Sequence, residues 1–113
     1  MTVWKVRLTG AAQADFDDAL YWTALRFGTS QAGIYEETLS DAIDALAATP
    51  QIHGVKSRDD LLSGMMSLHV ARNRRKGRHV VLFRVDKSRE RTIEVLRILH
   101  DAMDFLRHLP AKE

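Results

Sequence analysis

Cysteine is absent from this 113-residue chain, which removes disulfide frameworks, thiolate metal sites and thiol nucleophiles from consideration. No run approaches the ~20 consecutive apolar residues of a membrane span. Residues 1–8 carry no apolar stretch behind the first lysine, so the expected compartment is the cytoplasm and no membrane partner is expected. The five histidines, His53, His69, His79, His100 and His108, never fall at ligand spacing on one predicted element, so neither a metal nor any other cofactor is expected. Linker composition, internal repeats and low-complexity segments are also missing, and residues 1–113 read as one domain large enough to bury its own core.

Charge of one sign is scarce in each half. Residues 13–48 hold Asp15, Asp17, Asp18, Glu36, Glu37, Asp41 and Asp44 against a lone Arg26, whereas residues 69–100 are dominated by arginine and lysine. The formal net charge of +2 hides this asymmetry. A basic face in search of an acidic partner is one reading, and acidic helices and basic strands that satisfy each other is the other.

What is present is a run of clear periodicities. Trp4, Val6 and Leu8 alternate with Lys5 and Arg7 as a half-buried strand. Thr9 is placed to cap a helix whose stripe is Ala12, Phe16, Leu20, Ala24 and Phe27, and Gly28 stops it. A second helix restarts at Thr29 or Ser30 with the stripe Tyr35, Leu39, Ala42, Ile43 and Leu46, and ends before Pro50. So short a connection makes the two helices an antiparallel hairpin. Residues 51–64 read as loop, pinned by Leu61 and Leu62.

Period two then returns three times: at 66–71 with one apolar face, at 79–85 as H-V-V-L-F-R-V, and at 92–100, which is apolar on both faces. In that last strand Ile93, Val95 and Leu99 are expected on one side and Leu96 and Ile98 on the other. The fold expected is α+β: an antiparallel β-sheet packed against an N-terminal helical hairpin, in the order β-α-α-β-β-β with a short C-terminal helical segment. The first strand is expected at a sheet edge. A charged side chain inside an apolar strand is costly unless paired or functional, which singles out Arg97 and, at the strand end, His100.

Seven segments, in order, carry a family resemblance: V-R-L-T-G-A-A-Q-A-D-F at 6–16, Y-W at 21–22, R-F-G at 26–28, Q-A-G-I-Y at 31–35, L-A-A-T-P at 46–50, G-R-H-V-V-L-F-R-V at 77–85 and I-E-V-L-R-I-L-H-D-A-M-D at 93–104. The chain resembles the RelE/ParE superfamily of bacterial toxins, and within it the ParE branch. That resemblance implies the toxin of a type II toxin–antitoxin system, held inactive by the C-terminal segment of a cognate antitoxin. ParE-like members poison DNA gyrase and RelE-like members cut messenger RNA on the ribosome. A third possibility is a relic that has lost target binding and persists as an antitoxin partner.

Cutting RNA by 2′-hydroxyl attack needs a base, an acid and cations for the phosphorane charge. Arg84, Arg97, His79 and His100 could make a minimal site for it, and Phe83 stands where many relatives carry a tyrosine. The acid–base set is thus incomplete, and the bland reading of His100 and Arg97 is a cap and an ion pair to Asp104 or Glu94. A poison needs no catalytic residue, only a surface that favours one state of its target. The candidates for that surface are the basic tip, Arg72, Arg74, Arg75, Lys76 and Arg78, with Phe105 and Arg107 of the C-terminal segment. The tip is longer than is common in the family, and Met66 occupies a position where arginine is frequent. Direct sequence-specific DNA readout is not expected, since the basic residues lack a recognition helix. For the antitoxin, Tyr21, Trp22, Met65, Met66 and Arg84 are the expected contacts, while Phe27 is read as core.

Overall fold

The computed structural model describes residues 3–109; residues 1–2, the start of the segment read above for a leader, and 110–113 lie outside the described part. Strand β1 (Lys5–Leu8) leads into α1 (Gly10–Phe27) and α2 (Thr29–Ala45). Strands β2 (Lys56–Ser57), β3 (Met66–His69), β4 (His79–Val85) and β5 (Thr92–His100) follow, and a 3-10 turn spans Phe105–His108. The sheet order is β1-β5-β4-β3-β2.

Local chemistry sets the helix ends. Thr9 Oγ1 accepts the Ala12 N–H at 3.1 Å, satisfying one donor of the first turn, and donates to the Leu96 carbonyl at 2.9 Å. Gly28, at φ +93°, closes α1 by donating to Ala24 O and opens α2 by accepting from Ala32 N. One residue therefore joins the helices, in a backbone region that favours glycine.

Two features depart from the expected sheet. β1 does lie at an edge, but it pairs parallel with β5 through Lys5↔Thr92 to Leu8↔Val95, so the sheet is mixed. The chain between those strands is long enough for a crossover, and no hairpin constrains their direction. Inside the presumed loop, β2 adds a fifth, two-residue strand on β3, too short for any periodicity to announce it.

Both faces of the sheet are covered, which is why β4 and β5 read as continuous apolar runs. On the helix side Ala12, Leu39, Ala42 and Leu46 meet Leu68, Val81, Phe83 and Val95. On the other, Leu61, Met65, Val80, Leu82, Leu96 and Leu99 pack under the 58–65 loop with Phe105 and Leu109. A bulge in β5 alters the expected facing: Val95 and Arg97 oppose the adjacent Phe83 and Leu82, leaving Leu96 as the extra residue. Beyond it Ile98 joins the helix-side cluster and Leu99 the opposite one, reversing their predicted sides.

Three surface assignments change with this packing. Met65, expected at the partner surface, is fully buried in the second cluster, a position worth about 2 kcal/mol of apolar burial. Phe105, expected at the target surface, packs half-buried against the same cluster with the Arg58 guanidinium 5.5 Å from its ring. Phe27, read as core, is instead 64% exposed: the buried residues of α1, Ala12 and Ala19, lie in its first half and middle, and its last turn carries none.

Candidate functional site

An open groove of about 1070 Å³ lies between the helical hairpin, the β3–β4 connection and the His79 and His100 ends of β4 and β5. Trp22, Phe27 and Ile34 line its helical side and Arg74 and Lys76 its loop side. Arg26 stacks 5.1 Å above the Trp22 ring, and Phe27 meets that ring edge-on at 5.9 Å.

Arg97 sits at one margin of the groove, tied to α1. β1 ends opposite Val95, so the outer edge of β5 would carry unpaired backbone groups beyond it. Thr9 N–H and hydroxyl take the Val95 and Leu96 carbonyls, and Asp15 Oδ2 takes the Ile98 N–H at 2.9 Å. The same carboxylate grips Arg97 Nε and Nη2, both at 2.7 Å, while Nη1 donates to His108 O. Asp15 therefore raises the Arg97 pKa above its ordinary value. The expected partners are otherwise engaged: Glu94 holds Arg7 and Arg84, and Asp104 holds Arg107.

At the floor, the Tyr35 hydroxyl contacts His79 Nδ1 and accepts the Arg78 N–H at 3.2 Å. An amide can only donate, so the single phenolic hydrogen is directed at His79, whose Nδ1 accepts in the neutral ring. Burial, then the neighbouring His100, lowers the His79 pKa to about 4, consistent with that assignment. Desolvation pushes the Tyr35 phenol up. The rings of His79 and His100 meet edge-on at 5.6 Å, and His100 Nδ1 accepts the Ala102 N–H. Asp101 completes the cluster by binding Arg78 and His69, and the Arg78 guanidinium first, then His69, hold its carboxyl well below the usual carboxylate range.

The basic tip does not present five equivalent cations. Arg75 is held by Asp41 and Glu37 of α2, and Arg78 by Asp101, whereas Arg72, Arg74 and Lys76 make no ion pair among the described residues. Tyr21 and Trp22 are 68% and 53% exposed, Met66 is half-buried, and Arg84 pairs with Glu94 at 3.5 Å. Arg107 is exposed beside Asp104.

Sequence reasoning missed Tyr35, Asp15 and Asp101 as parts of this cluster. For Asp15 a signal existed: it stands three residues after Ala12 and four before Ala19, both buried, hence on the inward face of α1. Among the described residues no group of three or more histidines and carboxylates is placed to hold a metal ion.

Solved structures share this architecture. The chromosomal ParDE TA system from P. aeruginosa superposes with a TM-score of 0.68 at 21% identity, covering 86% of this chain and 95% of that one. The toxin–antitoxin complex RelBE2 from Mycobacterium tuberculosis does so with a TM-score of 0.58 at 22% identity, covering 91% and 97%. The scaffold is thus the α+β fold of RelE/ParE toxins. Sequence comparison is more specific: the family model for the ParE toxin of type II toxin-antitoxin system, parDE, matches residues 6–105. Toxin ParE1 of M. tuberculosis is 36% identical over 102 residues, 90% of this chain and 94% of that protein. Toxin ParE1 of Caulobacter vibrioides is 32% identical over 103 residues, 91% and 95% of the two chains. The chain belongs to the ParE toxin family of type II toxin-antitoxin systems.

Proposed function

We propose that this toxin is a non-catalytic poison of DNA gyrase that works in the cytoplasm as one domain, and that a cognate antitoxin holds it inactive by covering the helical hairpin and adjoining sheet. The observation that carries the gyrase reading is the internal pairing of the cations an RNase would need. Arg97 is locked on Asp15 and Arg84 faces Glu94. A guanidinium already neutralised by a carboxylate does little for a developing phosphorane. Phe83, at the position where many relatives carry tyrosine, is buried in the helix-side core rather than open to the groove.

One observation favours the RNase reading instead. Tyr35 and the neutral His79 form a hydrogen-bonded pair at the groove floor, an arrangement able to move a proton. The two readings separate in one experiment. Purified antitoxin-free toxin is assayed for gyrase supercoiling and DNA cleavage beside ribosome-dependent mRNA cleavage. Accumulated cleaved DNA with intact mRNA is the expected result. Cut mRNA with unaffected gyrase overturns it and makes His79 and Tyr35 the residues to mutate.

For the antitoxin, support comes from the apolar area the hairpin leaves in water: Tyr21, Trp22, Leu25, Phe27 and Ile34 are each more than half exposed. Trp22, Phe27 and Ile34 line one groove, and grouped apolar exposure of this kind marks an interaction face.

A further inference from the structure

Residues 72–78 hold five cations, which the fold separates into two paired struts, the exposed Arg74 and Lys76, and a half-buried Arg72. Arg75 and Arg78 are the struts, anchored to α2 and to Asp101. Tyr35 adds a third anchor through the Arg78 N–H, and Gly77 packs so tightly that a Cβ there would fall 2.6 Å from Val70 Cγ2. Just before these anchors the backbone makes a tight turn, with Asn73 at φ 52°, Arg74 at φ 67° and the Arg75 N–H donating to Arg72 O at 2.9 Å. Consecutive left-handed residues suit a type I′ turn. Asparagine tolerates that region; arginine does so only where its surroundings over-determine it.

We propose that residues 72–76 are a preorganised cationic finger, and that Arg72, Arg74 and Lys76 dock it on the phosphate backbone of double-stranded DNA without reading sequence. Protein interfaces enrich arginine but set it among buried aromatic anchors, and they are depleted in lysine. The finger has no such anchor: it consists of four cations and an asparagine. Single strands are gripped by aromatic stacking, which the finger also lacks. A duplex asks only for charge, which it presents about every 1.7 Å along its axis. Anchoring by the struts removes most of the ordering cost of docking. This inference deepens the gyrase reading, on which it rests for its setting, by assigning the finger to the DNA of the complex rather than to the enzyme.

The test is fluorescence anisotropy of a labelled duplex of arbitrary sequence, titrated with the antitoxin-free full chain across a range of salt concentrations. The Arg72→Gln/Arg74→Gln/Lys76→Gln variant is expected to bind more weakly and to lose about 2.7 from the magnitude of the log K against log salt slope. A charge-retaining variant, Arg72→Lys/Arg74→Lys/Lys76→Arg, keeps the slope. Arg74→Gly, which suits the left-handed turn and safeguards the fold, loses about 0.9. An unchanged slope in the glutamine and glycine variants overturns the proposal. So does a defect seen only with gyrase subunits free of DNA, which would assign the finger to an acidic protein surface, or binding to single-stranded RNA in preference to duplex. The gyrase reading fails separately: if wild-type toxin traps no cleaved DNA while the slope still falls in the variants, the finger stands and that setting does not.

Discussion

His79 links stability to pH through its burial. In an unfolded chain a histidine titrates near 6.5, whereas here burial and then His100 lower the pKa to about 4; Asp101 and Asp15 oppose that shift and His69 adds to it. Between those values the unfolded state binds more protons than the folded one, so stability rises with pH across the window. The contribution is complete above pH 6.5 and is lost as pH falls to 4; solvent screening at the partly exposed ring holds it to about 1–2 kcal/mol. Urea midpoints at pH 7 and pH 4.5 measure it, and His79→Gln, which keeps an acceptor for Tyr35, flattens the difference. Asp101 titrates below this window, because Arg78 and His69 favour its charged form. Asp15 is the other decisive side chain, since it satisfies Arg97 and the Ile98 amide together. Asp15→Ala leaves a largely buried guanidinium unpaired and is expected to cost about 3 kcal/mol in urea unfolding. Adding Arg97→Met to that variant recovers part of the loss, because the stranded charge is then gone.

Among the elements, the β3–β4 connection depends most on its neighbours. Its cations are ordered by α2 and by the start of the C-terminal segment, so the finger moves if either support moves. Gly77→Ala tests this coupling: the new methyl would meet buried Val70 at 2.6 Å and Tyr35 Cε1 at 2.9 Å. The expected outcome is a loss of about 1–3 kcal/mol by thermal unfolding, with Tyr35 displaced from His79. Tyrosine fluorescence and the pH limb assigned to His79 both report that displacement. An unchanged melting curve would mean the connection is looser than the geometry shows. β5 shows a similar dependence on context: its bulge re-aims Arg97 and Ile98, and the edge that β1 leaves open is completed by a helix cap and a carboxylate rather than by a strand.

The whole molecule carries an apolar hairpin face on one side of the groove and a cationic turn on the other. The opposite charges of its halves meet only in part: Arg75 with Asp41 and Glu37, and Arg97 with Asp15, span the divide, whereas Arg84 pairs with Glu94 within the basic half and Arg78 with Asp101 just beyond it. An antitoxin segment with apolar anchors suits the hairpin face of such a surface. Trp22→Ala is expected to weaken the antitoxin complex at least tenfold by isothermal titration calorimetry. It should change the unfolding free energy of the isolated chain by less than about 1 kcal/mol, because the indole is half in water. Unaltered affinity would place the antitoxin elsewhere.

The sequence by itself determined what short-range chemistry controls. Thr9 and Gly28 bound α1 because a cap and a left-handed turn are decided within four residues. The stripe from Tyr35 to Leu46 and the apolar runs of β4 and β5 declare their periods, and the ordered motifs declare the family. Only the tertiary structure decided the rest. The parallel pairing of β1, the two-residue β2 and the extra Leu96 in β5 are outcomes of distant strands competing for hydrogen bonds. Arg97 announced that it needed a partner, but Asp15, 82 residues away, had no local mark beyond its place between two buried alanines. The same holds for the site. Tyr35 reaches His79 and Asp101 divides the basic tip because packing brings α2, β4 and the end of β5 together. Periodicity reports which face of an element is apolar; which charges meet across the fold depends on register and on chain crossings, and these are settled only when the core closes.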